Sequence, residues 1–336
     1  MFDIITFGSA TRDQFIISQN FQTIESDDFV AGKGMCVPLG AKIYVEDIIF
    51  ASGGGSTNVA ATFALQGLKT ACVSKVGNDP GGNAVFEELR KLGVNTGMFL
   101  KDAKQKTAYS VILSLPHGER TILVYKGACH SLSRNEIPWD DLKKTKWFYI
   151  SGLAGKSAEL FEPLINFAYE NKIKIAVNPG QDQLNMGIDR LQPLLNKIDV
   201  FILNKEEATK LTCLPYGAER EIFKRLDTWI KGIAVMTKGP EGVKVADGRH
   251  IYLAGIPESG ILDRTGSGDA FGSGFVAGLI EKSDNRNFSP EAIEYAIQLG
   301  TANATSCVQQ FGAKNGLLKK GEWGEWKKVE VKIYKI

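Results

Sequence analysis

Three histidines and five cysteines are all that the 336 residues offer to imidazole or thiolate chemistry. The cysteines (Cys36, Cys72, Cys129, Cys213, Cys307) lie far apart and form no CxxC pair, so a structural zinc site is not expected. An odd, scattered set of thiols reads instead as reduced core cysteines, and the cytoplasm is the compartment expected. Charge of one sign is also missing. The chain has 40 Lys+Arg against 38 Asp+Glu, a net +2, which gives no electrostatic reason for a nucleic-acid or membrane partner. No uncharged apolar stretch approaches the ~20 residues of a spanning helix. The opening MFDIITFGS has an acid at Asp3 and no basic run, unlike a signal peptide. What is present is 43% hydrophobic and 23% charged residues, the composition of a globular chain able to bury its core without staples. At roughly 100–200 residues per domain, the length suggests one large α/β domain or two linked units.

Hydrophobic patterning divides the chain into two kinds of segment. Residues 2–8 read as a buried strand. Residues 14–18 and 41–51 alternate like strands with one wet face, and 108–115 and 120–125 flank the turn Pro116-His117-Gly118-Glu119 as a hairpin. Elsewhere strands at 70–76, 147–151, 173–178, 200–204 and 233–237 alternate with helical runs at 59–66, 83–92, 158–171 and 269–281. That alternation predicts a mostly parallel sheet covered on both faces, with the wet-faced strands forming a small second sheet. The tail 317–336 is rich in Trp and Lys, alternates weakly from Val329, and carries no motif.

Two glycine clusters stand at expected strand–helix junctions. In Asp263-Arg264-Thr265-Gly266-Ser267-Gly268-Asp269, glycines flank a serine directly before a helical run. Backbone N–H groups at such a helix start make an anion site. Asp269 beside that anion suits a proton acceptor for an attacking hydroxyl, although a glycine turn with Asp269 as helix cap fits the same residues. In Gly53-Gly54-Gly55-Ser56-Thr57-Asn58, the glycines admit a small polar ligand to the backbone and Asn58 offers donors and an acceptor; alone it reads equally as a turn. Asn204 and Glu207, three apart at a strand end, suit a hydrated Mg²⁺ or a solvated first helical turn. Thr237-Lys238-Gly239-Pro240-Glu241-Gly242 closes the next strand, where ligands of open α/β sheets collect. Gly155-Lys156-Ser157 lacks the earlier glycine of a P-loop, since Ile150 holds that place. Gly272-Ser273-Gly274-Phe275-Val276-Ala277 matches a dinucleotide pattern but falls inside a helix, which argues for close helix packing.

Together these residues resemble the ribokinase-like (PfkB) family of carbohydrate kinases from about residue 2 to 316. DRTGSGDAF is similar to the family's C-terminal signature and GGGSTNVA to its N-terminal one. Val76-Gly77-Asn78-Asp79, Gly118-Glu119-Arg120-Thr121, Asn204 to Glu207 and the Thr237 turn fall between them in the family's order. The resemblance implies a ribokinase-like three-layer αβα domain over 1–316 with a β-sheet lid drawn from about 9–51 and 97–127, leaving 317–336 as an extension. It implies transfer of the ATP γ-phosphate to a hydroxyl, usually primary, of a sugar or, as the rival, a nucleoside. Asp269 would then be the base, and Gly266, Ser267 and Gly268 the anion hole. Asp13, Gly54, Gly55 and Asn58 would bind substrate, and Asn178, Asn204, Thr237, Gly239, Gly242 and Asn303 would line the nucleotide. Glu207 would hold Mg²⁺ through water, and Asp263 and Thr265 would form a monovalent-cation loop for K⁺. An apolar face on the lid is compatible with pairing to a second copy. Thr11, Gly55, Arg264 and Ser267 depart from the family's usual Asn, Lys, Thr and Ala. The first two bear on which sugar is bound, not on phosphorylation. Two other classes, a ligand-binding protein on an inactive kinase scaffold and a nicotinamide oxidoreductase, fit the motifs less well.

Overall fold

The computed structural model describes residues 1–335 apart from 28, 30, 31, 116–119 and 284–287, so the expected turn at 116–119 lies outside the described residues. Strand β1 (Phe2–Phe7) is buried from Ile4 onward because it has a neighbour on each side, one strand in from the edge of the main sheet. The chain then crosses to a small sheet along β2 (Thr11–Ile17), turns through the two-stranded pair β3 (Gln22–Glu25) and β4 (Lys33–Cys36), and returns along β5 (Asp47–Gly53). The strand expected from residue 41 starts only at Asp47. Ahead of it the Tyr44 carbonyl accepts from Ser18 Oγ and Asn20 Nδ2, both at 3.0 Å, so side chains take the place of a ladder there.

After the helix Gly55–Leu65 come β6 (Thr70–Val73) and β7 (Lys75–Gly77), split at Ser74, whose hydroxyl donates to Gly8 O at 2.7 Å. The helix Pro80–Lys91 follows, capped by Asp79, which accepts from Gly82 N–H. Strand β8 (Leu100–Asp102) pairs with β7, while β9 (Ala108–Ser114) and β10 (Arg120–Tyr125) complete the small sheet in the order β10-β9-β2-β5.

The remaining strands are β11 (Thr145–Ser151), β12 (Lys174–Asn178), β13 (Val200–Asn204), β14 (Ile233–Thr237), β15 (Val243–Ala246), β16 (His250–Ala254) and β17 (Val331–Lys335). They build a nine-stranded sheet, β17-β16-β15-β14-β13-β12-β11-β1-β6. Neighbours from β14 to β6 are parallel and those from β14 to β17 antiparallel. The tail therefore contributes an edge strand.

Alternation along β11 sets the two helical layers. Phe148 and Ile150 pack with the helices Phe161–Glu170, Ile188–Leu195 and Glu219–Trp229, whereas Trp147 and Tyr149 face Gly55–Leu65, Ser267–Lys282 and Pro290–Cys307. The helix expected over 158–171 opens as a 3₁₀ turn, Gly155–Leu160, before becoming α-helical at Phe161. The Ser267 and Pro290 helices approach closely because glycine lies between them. A Cβ on Gly274 would come within 3.0 Å of Gly300 Cα, and one on Gly278 within 2.7 Å of Ala296 Cα. The dinucleotide-like pattern is thus a packing seam. Three cysteines (Cys72, Cys129, Cys307) are buried as expected of core thiols, but Cys213 is exposed. No helix among the described residues is long and apolar enough to cross a membrane.

Candidate active site

Parallel strands leave their carboxyl ends on one edge of the sheet, and the loops there are where an open α/β fold places its chemistry. Strand β1 exits through Gly8 and Ser9, β11 ends on Ser151, β12 on Asn178, β13 on Asn204 and β14 on Thr237.

The Gly55 helix and the Ser267 helix start at this edge. Gly54 precedes the first with φ +96° and lies so close to Ser9 that a Cβ would fall 2.5 Å from its carbonyl oxygen. That conformation and that approach both require glycine. Gly55 N–H donates to Ser9 Oγ at 3.0 Å, and a Cβ there would meet Ser151 Cβ at 2.7 Å and Asp269 Oδ1 at 3.8 Å. From the next helical turn Asn58 Nδ2 donates to Asp269 Oδ2 at 2.8 Å. Two motifs more than two hundred residues apart thus share one hydrogen bond.

Gly266, with φ +77°, caps the Ser267 helix and packs against Ala313. Ala270 N–H bonds Gly266 O at 2.8 Å, which leaves the amides of Gly268 and Asp269 at the open helix end; a Cβ on Gly268 would meet nothing within 4 Å. Burial pushes the Asp269 carboxyl up to about 6, against the pull of the Asn58 amide and the Lys314 ammonium. On the other side of this turn Ser267 and Gly268 line a groove with Thr237, Gly239, Gly242 and Phe271. Asp269 is not among the residues that line this groove.

Asp13, on β2, is buried at the root of the small sheet and touches Gly53, with Thr11 Oγ1 donating to it at 3.1 Å. Burial raises its carboxyl, opposed by Ser110, Lys314 and Thr11. Asn204 and Glu207 close a capping box: Glu207 N–H donates to Asn204 Oδ1 at 2.8 Å and Asn204 N–H to Glu207 Oε2 at 2.9 Å. The second Glu207 oxygen is left for another partner. Burial, Glu206 and Asp269 all raise this carboxyl, a local excess of negative charge that a cation held through water would relieve. Asn178 donates from Nδ2 to Ile202 O at 3.0 Å beside the same edge.

Asn303 does not face the groove. It is fully buried, donating to Ala270 O at 2.8 Å and to Thr62 Oγ1 at 3.3 Å and accepting from Leu318 N–H at 2.9 Å, so its amide ties the helical layer together. Asp263 also departs from expectation, because Arg120 Nη1 donates to its Oδ1 at 2.6 Å.

Two further residues at the site carried no signal of their own in the sequence. Ser151 Oγ, like Asn58 Oδ1, is buried and without a partner among the described residues. The Lys314 ammonium is buried and donates to Ser52 O at 2.7 Å and Ser52 Oγ at 2.9 Å. Burial pulls it below the usual lysine range, while Glu88, Asp13 and Asp269 act the other way. Ser151 ends its strand on a polar residue, as Asn178 and Asn204 do, which was the available hint. Lys314 had only its place between Gly312 and Gly316.

The family model described as pfkB family carbohydrate kinase matches residues 26–320 of this chain. An uncharacterized sugar kinase of Archaeoglobus fulgidus is 25% identical over 75% of this chain and 96% of its own length. A ribokinase of Lactococcus lactis is 25% identical over 92% of this chain and 97% of its own. The structure of Arabidopsis thaliana ribokinase complexed with ribose and ATP superposes with a TM-score of 0.73 at 19% identity, covering 95% of this chain and 96% of that one.

Proposed function

We propose, from the premise that the chain belongs to the pfkB family of carbohydrate kinases, phosphotransferases that act on alcohol groups, that it moves the γ-phosphoryl group of ATP onto a hydroxyl of a small carbohydrate. The observation that carries this reading is Asp269 at the open start of the Ser267 helix, bonded to Asn58 at 2.8 Å. A base belongs on one side of such an anion-binding turn and a nucleotide on the other.

The acceptor sits among Asp13, Asn58, Ser151 and the Gly54–Gly55 backbone. The unpartnered Asn58 Oδ1 and Ser151 Oγ accept from its hydroxyls. Asp269 takes the proton of the attacking hydroxyl as that oxygen forms its bond to the γ-phosphorus. The bond from phosphorus to the β–γ bridging oxygen breaks, and ADP leaves with its electron pair. Charge that spreads onto the phosphoryl oxygens meets the open amides at the start of the Ser267 helix, Gly268 foremost, which need no reorganisation to receive it, whereas the Ser267 N–H would have to leave Arg264 O at 3.4 Å. Thr237, Gly239 and Gly242 hold the nucleotide in the groove, with Phe271 as apolar wall. Glu207, with Asn204 fixing it, would hold Mg²⁺ through water, and that ion when bound neutralises phosphate charge. The small sheet acts as a lid that excludes water, the competing acceptor.

A sugar is the acceptor favoured by the family match, with a nucleoside as its rival. Of the aromatic residues in the lid, Phe15 and Phe21 are core, Phe15 with its ring 5.8 Å from that of Phe311. Tyr109 is tied through its hydroxyl to Gln14 at 3.3 Å, whereas Phe29 and Phe50 are exposed, so aromatic side chains alone do not separate the two acceptors. The test is ADP release from ATP and Mg²⁺ over a panel of pentoses, hexoses, sugar acids, sugar phosphates and nucleosides. Saturating turnover with a sugar is expected. Turnover with nucleosides alone would transfer the reading to a nucleoside kinase, and silence across the panel with ATP still bound would remove it.

A further inference from the structure

Asp263 opens the loop that ends in Asp269, and its carboxylate is nearly enclosed, 5% exposed. A buried carboxylate must be neutralised and hydrogen-bonded to be tolerated. Both oxygens are engaged. Oδ1 accepts from Arg120 Nη1 at 2.6 Å, Thr265 Oγ1 at 2.7 Å and Thr265 N–H at 3.0 Å; Oδ2 accepts from Gly312 N–H at 3.1 Å. Arg120 Nη1 also reaches Thr265 Oγ1 at 3.2 Å. A monovalent metal ion needs oxygen lone pairs free to face it. Here both carboxylate oxygens face donors, the Thr265 carbonyl faces the Cys307 thiol at 3.7 Å, and the compensating charge is already supplied by a side chain, so Asp263 does not fit the ion that the sequence resemblance implied.

We propose that Arg120 is a positioning residue whose guanidinium stands as the tethered cation of the Asp263 loop, so that this enzyme works without K⁺ activation. The contact joins strand β10 of the lid to the turn that fixes Thr265 and, through it, Gly266 against Ala313. A guanidinium suits this place because Nη1 carries two N–H groups, enough to reach both oxygens, and the head keeps its charge. With the guanidinium gone, Asp263 is a buried charge without a counter-ion, and the loop carrying the phosphoryl-binding amides loses its anchor. A small external cation could then enter.

This inference rests on the phosphotransferase reading above, and its test keeps the two apart by adding melting temperature to turnover. Both are measured in K⁺, Na⁺ and tetramethylammonium chloride at one ionic strength, for the parent protein, Arg120→Lys and Arg120→Ala. The parent should give equal rates and equal Tm in all three salts. Arg120→Ala should lose about tenfold or more in kcat/KM in tetramethylammonium, with part restored by K⁺ or by millimolar guanidinium. Its Tm should rise in K⁺ while the parent's does not. Arg120→Lys, which keeps the charge on a shorter, differently shaped head, should fall between. Several-fold activation of the parent by K⁺ overturns the proposal, as does an Arg120→Ala protein with parental kinetics and Tm in every salt. If no acceptor is turned over, the Tm arm alone decides, since selective stabilisation of Arg120→Ala by K⁺ supports the assignment and its absence removes it.

Discussion

Asp269 combines two demands that pull against each other. To take a proton it must be ionised, yet burial raises its carboxyl to about 6. The sign follows directly. The base works above that value, so kcat/KM should fall about tenfold per pH unit as pH drops below about 6. Folding linkage runs the same charge the other way: a carboxyl raised above its ordinary 3.8 makes the fold less stable as pH climbs through that window. Asp269→Asn keeps an oxygen for the Asn58 amide and removes the buried charge. It should lower kcat on the order of 10²–10⁴-fold while leaving ATP affinity within a few-fold and raising Tm at neutral pH. Full activity in that variant takes Asp269 out of the mechanism; lost activity with a lowered Tm would mean that the substitution damaged the fold. Asp269 was legible in the sequence because a glycine-flanked helix start has a local pattern. Arg120 was legible only as a member of the Gly118-Glu119-Arg120-Thr121 motif, since its carboxylate partner lies 143 residues away, and Lys314 was not legible, since what matters about it is burial near carboxylates on other elements. Asn303 misled for the opposite reason: nothing local distinguishes an amide that lines a groove from one that ties two helices to a third segment.

At the scale of elements, strands with two covered faces were read to within two residues, because a continuous apolar run admits little else there. Segments with one wet face were read less well. Residues 41–46 alternate, yet side chains bond Tyr44 O and no ladder forms. The last strand shows the same limit, since β17 pairs with β16 across the whole span His250–Ala254 although its own alternation is faint. The seam between the Ser267 and Pro290 helices is the sharpest element-level constraint. Gly278→Val puts a branched side chain where even a Cβ meets Ala296 Cα at 2.7 Å. Overpacking of this kind costs on the order of 1–3 kcal/mol, so Tm should drop by several degrees. Gly278→Ala should cost less, and both proteins should keep the parental KM for ATP below their melting range. An unchanged Tm in Gly278→Val would show that the helices can separate freely and that glycine is not needed there.

For the whole molecule, the small sheet poses a question that the main sheet does not. Its edge strand β10 is exposed along its entire length, with Ile122, Leu123, Val124 and Tyr125 45%, 57%, 67% and 52% exposed, and β5 at the other edge shows Ile48 and Phe50. Apolar side chains on unpaired edges are an invitation to another chain. A second copy is the partner expected, because the near-neutral net charge of +2 offers little repulsion between copies and the apolar strip lies on a lid whose inner root carries Asp13. Covering β10 would also hold Arg120 over Asp263, so pairing and loop order should be coupled. Light scattering after gel filtration should give twice the chain mass of 36.7 kDa. Val124→Glu with Phe50→Glu should halve that mass and raise the KM for the sugar more than that for ATP, since the lid and not the nucleotide groove is disturbed. A parent protein that stays monomeric from micromolar to hundreds of micromolar would leave the lid face without a second copy. A double variant that becomes monomeric with unchanged kinetics would separate pairing from lid closure.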